Sequence, residues 1–144
     1  MVSVEVEGVR LERAEPTEPT EPVSVAPQDR AYVMLRSPER SRALHIQIGS
    51  AEAFAISSAL DGNRWDRPMT HDLLGEVIAA LGATLRQVVI TEYREDDVYI
   101  GEIEVTKQDG TAIRISARPS DAVALALRLD APILVNEALF ADAA

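Results

Sequence analysis

The segment Val98 to Ala117 most restricts what this chain can fold into. Apolar residues alternate on both sides of Gln108-Asp109-Gly110: Ile103 and Val105 before it, Ile113 and Ile115 after it. Period-two alternation marks a half-buried strand, and two such runs across a short glycine-containing turn form an antiparallel hairpin. A two-residue Asp109-Gly110 loop would set Ile113 opposite Thr106 and Ile115 opposite Glu104. A three-residue loop, with Gly110 left-handed, instead pairs Val105 with Ile113 and Ile103 with Ile115, and sets Glu104 across from Arg114 on the other face. The second register joins apolar to apolar, so the sequence predicts the three-residue loop.

Val2 to Arg13 alternates in the same way as far as Gly8, which marks a bulge or a shift of phase. Ala31 to Arg36, Ala43 to Ile48 and Thr84 to Arg94 are further strands. Ala51 to Leu60 reads as an alanine-rich helix with Ser50 as its N-cap. A second helix, capped by Thr70 and closed by Gly82, carries Leu73, Leu74, Val77, Ile78 and Leu81 at the spacing of one buried face. Arg118-Pro119-Ser120 leads into a third helix, Asp121 to Leu129, then a short strand Ile133-Leu134-Val135 and a last helix, Glu137 to Asp142, capped by Asn136. Consecutive strands on tight turns pair antiparallel. The expected class is α+β: a mostly antiparallel sheet with three main helices and a short C-terminal helix.

Charge narrows the functions. The 144 residues, a length suited to one domain spanning 1–144, carry 24 acids and 14 bases, a net charge of −10. Half of that excess lies in residues 1–29, where Glu15-Pro16-Thr17-Glu18-Pro19-Thr20-Glu21-Pro22 predicts an extended acidic surface loop at about 14–28. Arg30, Arg36, Arg40 and Arg42 face only Glu39 over 30–49, the one segment able to offer nucleic acid a basic patch. The absence of cysteine excludes disulfides, thiolate metal sites and cysteine nucleophiles. No apolar run reaches the ~18 residues of a membrane span and no signal peptide opens the chain, so a soluble, cytoplasmic protein is expected.

Only two histidines are available for proton transfer. His45 falls on the face of its strand opposite Leu44, Ile46 and Ile48, a surface position. His71 lies in Arg67-Pro68-Met69-Thr70-His71-Asp72, and a matching block, Arg118-Pro119-Ser120-Asp121, precedes the third helix. Both blocks run from arginine-proline into a helix with aspartate in its first turn. Carboxylates at Asp72, Asp121 and Glu52 are ligand types for Mg²⁺ or Mn²⁺; Arg67 and Arg118, with Ser120, are types that hold phosphate oxygens; His71 can move a proton. Those are the parts of metal-assisted phosphodiester hydrolysis. The structural alternative uses the same residues: Thr70 and Ser120 as caps, aspartates favoured by the helix dipole, and each upstream arginine paired to its aspartate. Trp65, between Arg64 and Arg67, is a candidate base-stacking residue or a lid on the core.

Taken together, Leu44 to Gly49, Ala51-Glu52-Ala53, Arg67 to Leu74 and Ala117 to Arg128, with Ala131-Pro132-Ile133-Leu134-Val135 behind them, resemble the bifunctional nuclease (BFN) family from about Val2 to Leu139. The resemblance implies a compact α+β domain, often a homo-oligomer and here most simply a dimer, in a family named for DNase and RNase activity. It implies a nuclease that hydrolyses phosphodiester bonds of DNA or RNA with a divalent metal; the residue types themselves offer His71, Asp72 and Asp121 as its catalytic groups. The alternative is a non-catalytic oligomeric binding or regulatory module on the same fold. His45 and Gln47 stand where the family's Leu-Pro-Ile-Trp-Ile-Gly has proline and tryptophan, a departure within an otherwise matching strand.

Overall fold

Gly8 resolves the break in alternation at the amino-terminus. In β1 (Val2–Glu12) the inward residues are even-numbered up to Val6 and odd-numbered from Val9. A bulge between Val6 and Gly8 makes that change, so Val6 faces Leu35, Val9 faces Val33 and Leu11 faces Ala31 across β2 (Arg30–Arg36). One extra residue keeps the apolar set on one side of the sheet. The computed structural model describes residues 1–12, 30–39, 42–63, 65–96 and 98–142. The acidic loop expected at about 14–28, Arg13, Arg40, Ser41 and Arg64 lie outside them.

β3 (Ala43–Ile48) pairs antiparallel with β2. Two helices follow, α1 (Ser50–Leu60) and α2 (Thr70–Ala80), then β4 (Thr84–Arg94), β5 (Val98–Thr106), β6 (Ala112–Ala117), α3 (Pro119–Leu129), β7 (Ile133–Val135) and α4 (Ala138–Asp142). Among the described residues, seven strands form one sheet in the order β3-β2-β1-β7-β4-β5-β6. Every pairing among them is antiparallel except β4 with β7. The three-residue loop is present: Val105 pairs with Ile113, Ile103 with Ile115 and Glu104 with Arg114, around Gly110 at φ 89°. The Glu104 carboxylate, however, accepts from Gln87 Nε2 at 2.8 Å, and Arg86 Nη1 stands 3.9 Å away. The class is α+β, with a mixed and mainly antiparallel sheet.

α1 packs on β1 and β2, α3 packs on β4 and β5, and the two helices pack on each other. Val33, Leu35, Leu44, Ile56, Val88, Ile90, Val123, Leu125 and Val135 fill the space between. α2 departs from expectation. Leu73 is 53% exposed and Leu81 74%, and Leu74 and Val77 also face outward. The face it buries holds His71 and Gly75, with Ile78 partly covered beside them. Glycine is what this approach needs, since a Cβ on Gly75 would stand 3.0 Å from Leu129 Cδ2. The helix is thus seated by its imidazole and its glycine, with its leucine stripe turned to solvent.

Candidate functional site

None of the three main helices begins with the side-chain cap that its sequence suggests. The N-caps are Gly49, Met69 and Arg118, and none of them makes a side-chain cap hydrogen bond. Ser50 and Thr70 are the first helical residues, and Ser120 follows Pro119, which takes the first position of α3. Proline suits that position because its missing N–H would have no intrahelical acceptor there. Instead an acid occupies the third position of each of these three helices: Glu52, Asp72 and Asp121. Each carboxylate sits at the positive end of its helix. Asp72 Oδ2 reaches back to accept from the Met69 N–H at 3.0 Å.

The three helix starts are tied together by side chains. His71 Nε2 stands 2.9 Å from Asp121 Oδ1. Arg118 Nε donates to Asp121 Oδ2 at 2.8 Å and its Nη2 to Oδ1 at 3.2 Å. The same Nη2 donates to Glu52 Oε1 at 3.0 Å. The result is a continuous chain, Glu52–Arg118–Asp121–His71, running from α1 through α3 to α2. Asp72 joins a second tie. Arg128 Nε donates to its Oδ1 at 2.7 Å, and the rest of that guanidinium donates to the carbonyls of Ala124 and Ala55.

Burial pushes the Asp121 carboxyl up, but the hydrogen bonds and charges of Arg118 and His71 outweigh it and hold the pKa below the ordinary carboxylate value. Asp72 is lowered by the same balance: burial raises it, while the Met69 N–H and Arg128 lower it by more. An ionised Asp121 has no proton to give, so the bond requires a proton on His71 Nε2. In the neutral ring Nδ1 is then the basic nitrogen. Carboxylates with folded pKa values below their unfolded ones contribute stability that is complete above the ordinary value of 3.8 and disappears as pH falls through the lowered one. Urea midpoints should therefore be insensitive to these groups near neutrality and drop below about pH 4. Asp72→Asn with Asp121→Asn should be less stable at neutral pH and show a shallower acid loss; an equally steep loss would rule these groups out as its source.

Set against the sequence, the structure brings His71, Asp121, Arg118 and Glu52 together and places Asp72 beside them on Arg128. Arg67 is exposed in the loop before α2, and the arginine that pairs with Asp72 is Arg128. Sequence reasoning missed that residue; its signal was a single charge within the apolar run of α3. His45 is exposed, as its alternation predicts. The basic segment is partly neutralised: Arg36 bonds Glu7 and Arg42 bonds Glu137 while lying over the Phe140 ring.

Two clefts flank the linked helix starts. One, of about 390 Å³, is lined by Trp65, Asp66, Asp72, Glu76 and Arg128 among others. Trp65 is about half exposed there, with Phe54 6.1 Å away between ring centres. The other, of about 540 Å³, lies between the end of β3, the start of β5 and residues 118–120. Metal chemistry fits the residue types but not their arrangement. Both oxygens of Asp72 and of Asp121 already accept hydrogen bonds, and Glu52 shares Arg118. Among the described residues no group of three or more His, Asp or Glu side chains is placed to hold a metal ion. No helix among them is long and apolar enough to cross a membrane.

Comparison with known proteins gives one consistent answer. The family model described as bifunctional nuclease domain matches residues 33–144. Proteins from two strains of Mycobacterium tuberculosis, both named as uncharacterized, are 39% identical over 143 residues, covering 99% of this chain and 76% of theirs.

Proposed function

This chain belongs to the bifunctional nuclease domain family, and from that membership we propose that it hydrolyses phosphodiester bonds of DNA, RNA or both at the joined starts of α2 and α3. The observation that carries the reading is the 2.9 Å contact between His71 Nε2 and Asp121 Oδ1, with Arg118 on the same carboxylate. Asp121 holds the imidazole in one tautomer and stabilises the imidazolium formed when Nδ1 takes the proton of an attacking hydroxyl or water; that oxygen bonds phosphorus as the P–O bond to the leaving oxygen breaks, and the leaving oxygen takes a proton from the imidazolium or from solvent. Arg118 supplies positive charge next to that proton acceptor, and Arg67, on the loop entering α2, is the second guanidinium for phosphate oxygens. Asp72 acts as a positioning residue: through Met69 and Arg128 it fixes the first turn that carries His71. The Mg²⁺ or Mn²⁺ expected from the residue types enters no step, because the carboxylates that would hold it are bonded to guanidinium, imidazole or backbone donors. The test is cleavage of plasmid DNA and single-stranded RNA by purified protein with Mg²⁺, with Mn²⁺ and with EDTA. Absence of cutting in all arms overturns the reading.

One observation favours a second reading. The chain Glu52–Arg118–Asp121–His71 is also a structural tie among three helix starts, suited to a non-catalytic binding or regulatory module. Under that reading nothing is cut, and loss of any link shows only in stability.

The same protein is proposed to work as a homodimer, a second copy covering the outward face of α2. Leu73, Leu74, Val77 and Leu81 form an apolar stripe there with Glu76 as its only acid. On a chain of net charge −10, a face with little negative charge is where two copies meet with least repulsion. Light scattering should give a dimer for the wild type and a monomer for Val77→Glu/Leu81→Glu, whose exposed positions tolerate charge in the isolated fold. A monomeric wild type refutes it.

A further inference from the structure

We propose that the cleft beside the start of α3 holds one nucleotide, with its phosphate at Ser120 and Arg118 and its base at Gln47, Tyr99 and Asp96. The choice of a nucleotide over other phosphorylated ligands rests on the phosphodiester reading above; the cleft itself does not. Its volume of about 540 Å³ falls within the range of small-molecule sites. Its walls come from segments far apart in sequence, the end of β3, the β4–β5 turn and the entry to α3, so that only the folded chain assembles it.

Ser120 is the observation that points to a ligand. It is 5% exposed and lines the cleft, yet no described group is hydrogen-bonded to its hydroxyl. Among the described residues the only fully enclosed side-chain atom without a partner is Arg42 Nε. The Ser120 hydroxyl therefore opens onto the cleft rather than into the protein. A hydroxyl that opens onto the cleft is free to donate to an oxygen acceptor seated there.

Two further donors surround it. Pro119 has no N–H, so the first free backbone donors of α3 are those of Ser120 and Asp121, at the positive end of the helix. Arg118 spends Nε and Nη2 on Asp121 and Glu52, and its Nη1 bonds no described residue. Those two carboxylates also limit the charge this corner accepts. A monophosphate ester, which carries about two negative charges at neutral pH, is the most that fits beside them, and a triphosphate is repelled.

The opposite wall suits a base. Tyr99 is held edge-on against Tyr93, with ring centres 4.9 Å apart, and presents an aromatic surface to the cleft. Gln47 is exposed and offers both a donor and an acceptor. Asp96, in a left-handed turn at φ 69°, brings a carboxylate that accepts from an exocyclic amine. Adenine, cytosine and guanine carry that amine and uracil does not, so the wall selects against uracil.

Calorimetric titration of the full chain tests this directly, with AMP, CMP, GMP, UMP, ATP, adenosine and inorganic phosphate as probes. AMP, CMP and GMP should bind saturably, and UMP, ATP, adenosine and phosphate at least about tenfold more weakly. Ser120→Ala should weaken AMP by about tenfold and leave adenosine unchanged, a loss the size of one hydrogen bond to a charged group. Gln47→Leu, at an exposed position that does not threaten folding, should weaken AMP and leave phosphate unchanged. No saturable binding of any monophosphate, phosphate binding as tightly as AMP, or two variants that bind like wild type would each overturn the proposal. AMP binding without nucleic-acid cleavage supports the cleft while refuting the nuclease reading. Cleavage without nucleotide binding does the reverse.

Discussion

His71→Ala should reduce phosphodiester cleavage by about two orders of magnitude or more, the usual contribution of a positioned proton-transfer group. Asp121→Asn should fall almost as far, because an amide can present its N–H to Nε2 and turn the ring to the wrong tautomer. These substitutions also loosen the contact between α2 and α3, so activity alone does not separate chemistry from architecture. His71→Gln separates them. Its amide reaches about as far as Nε2 and can still donate to Asp121 and hold the helices, but it cannot take a proton. Urea midpoints near wild type for His71→Gln, with cleavage lost, would establish His71 as the base. Cleavage that survives all three variants would assign the activity to another site or to a contaminating nuclease.

Arg128→Met should cost about 2–3 kcal/mol of stability, a large effect for a polar side chain. The guanidinium is 10% exposed and serves three elements at once: Asp72 of α2, Ala55 of α1 and its own helix at Ala124. Methionine keeps the apolar stem as far as the Nε position, so the measured loss reports mainly the guanidinium's hydrogen bonds. Asp72 is one-third exposed, which keeps the figure below that of a fully buried pair. For a domain of this size the loss corresponds to a fall of roughly 10 °C in Tm. Arg67→Met, in the exposed loop, should lie within about 0.5 kcal/mol of wild type. If the two arginines cost the same, the central place given to Arg128 is wrong. A double-mutant cycle with Asp72→Asn then apportions the tie between its carboxylate and its carbonyl partners.

Local features were the legible part of this chain. The hairpin register followed from matching apolar residues across Gln108-Asp109-Gly110, and the bulge at Gly8 followed from a change of parity, because strand pairing copies sequence period into geometry. What escaped was decided between distant segments. The leucine stripe of α2 predicted a buried face, yet the helix is seated through Gly75 on Leu129 and His71 on Asp121, partners about fifty residues away. Periodicity reports that a face is apolar, not what covers it. The two arginine-proline blocks were recognisable as a pair of helix starts, and their convergence on one hydrogen bond was not. The capping serines and threonine were misplaced by one position or more for a related reason: an acid in the first turn and a proline at the first position satisfy a helix start without them.

β7 has one more consequence. Three residues, Ile133–Val135, lie between β1 and β4, antiparallel to the first and parallel to the second. Until they are synthesised, the emerging polypeptide carries two unfinished ribbons, β3-β2-β1 and β4-β5-β6, each with an open flank that the other cannot close. Of these seven strands, β7 is synthesised last, and it is the one that welds them. Growing chains held back before that point would be exposed to pairing with one another through those flanks, and translation speed on the way to residues 133–135 becomes a determinant of yield.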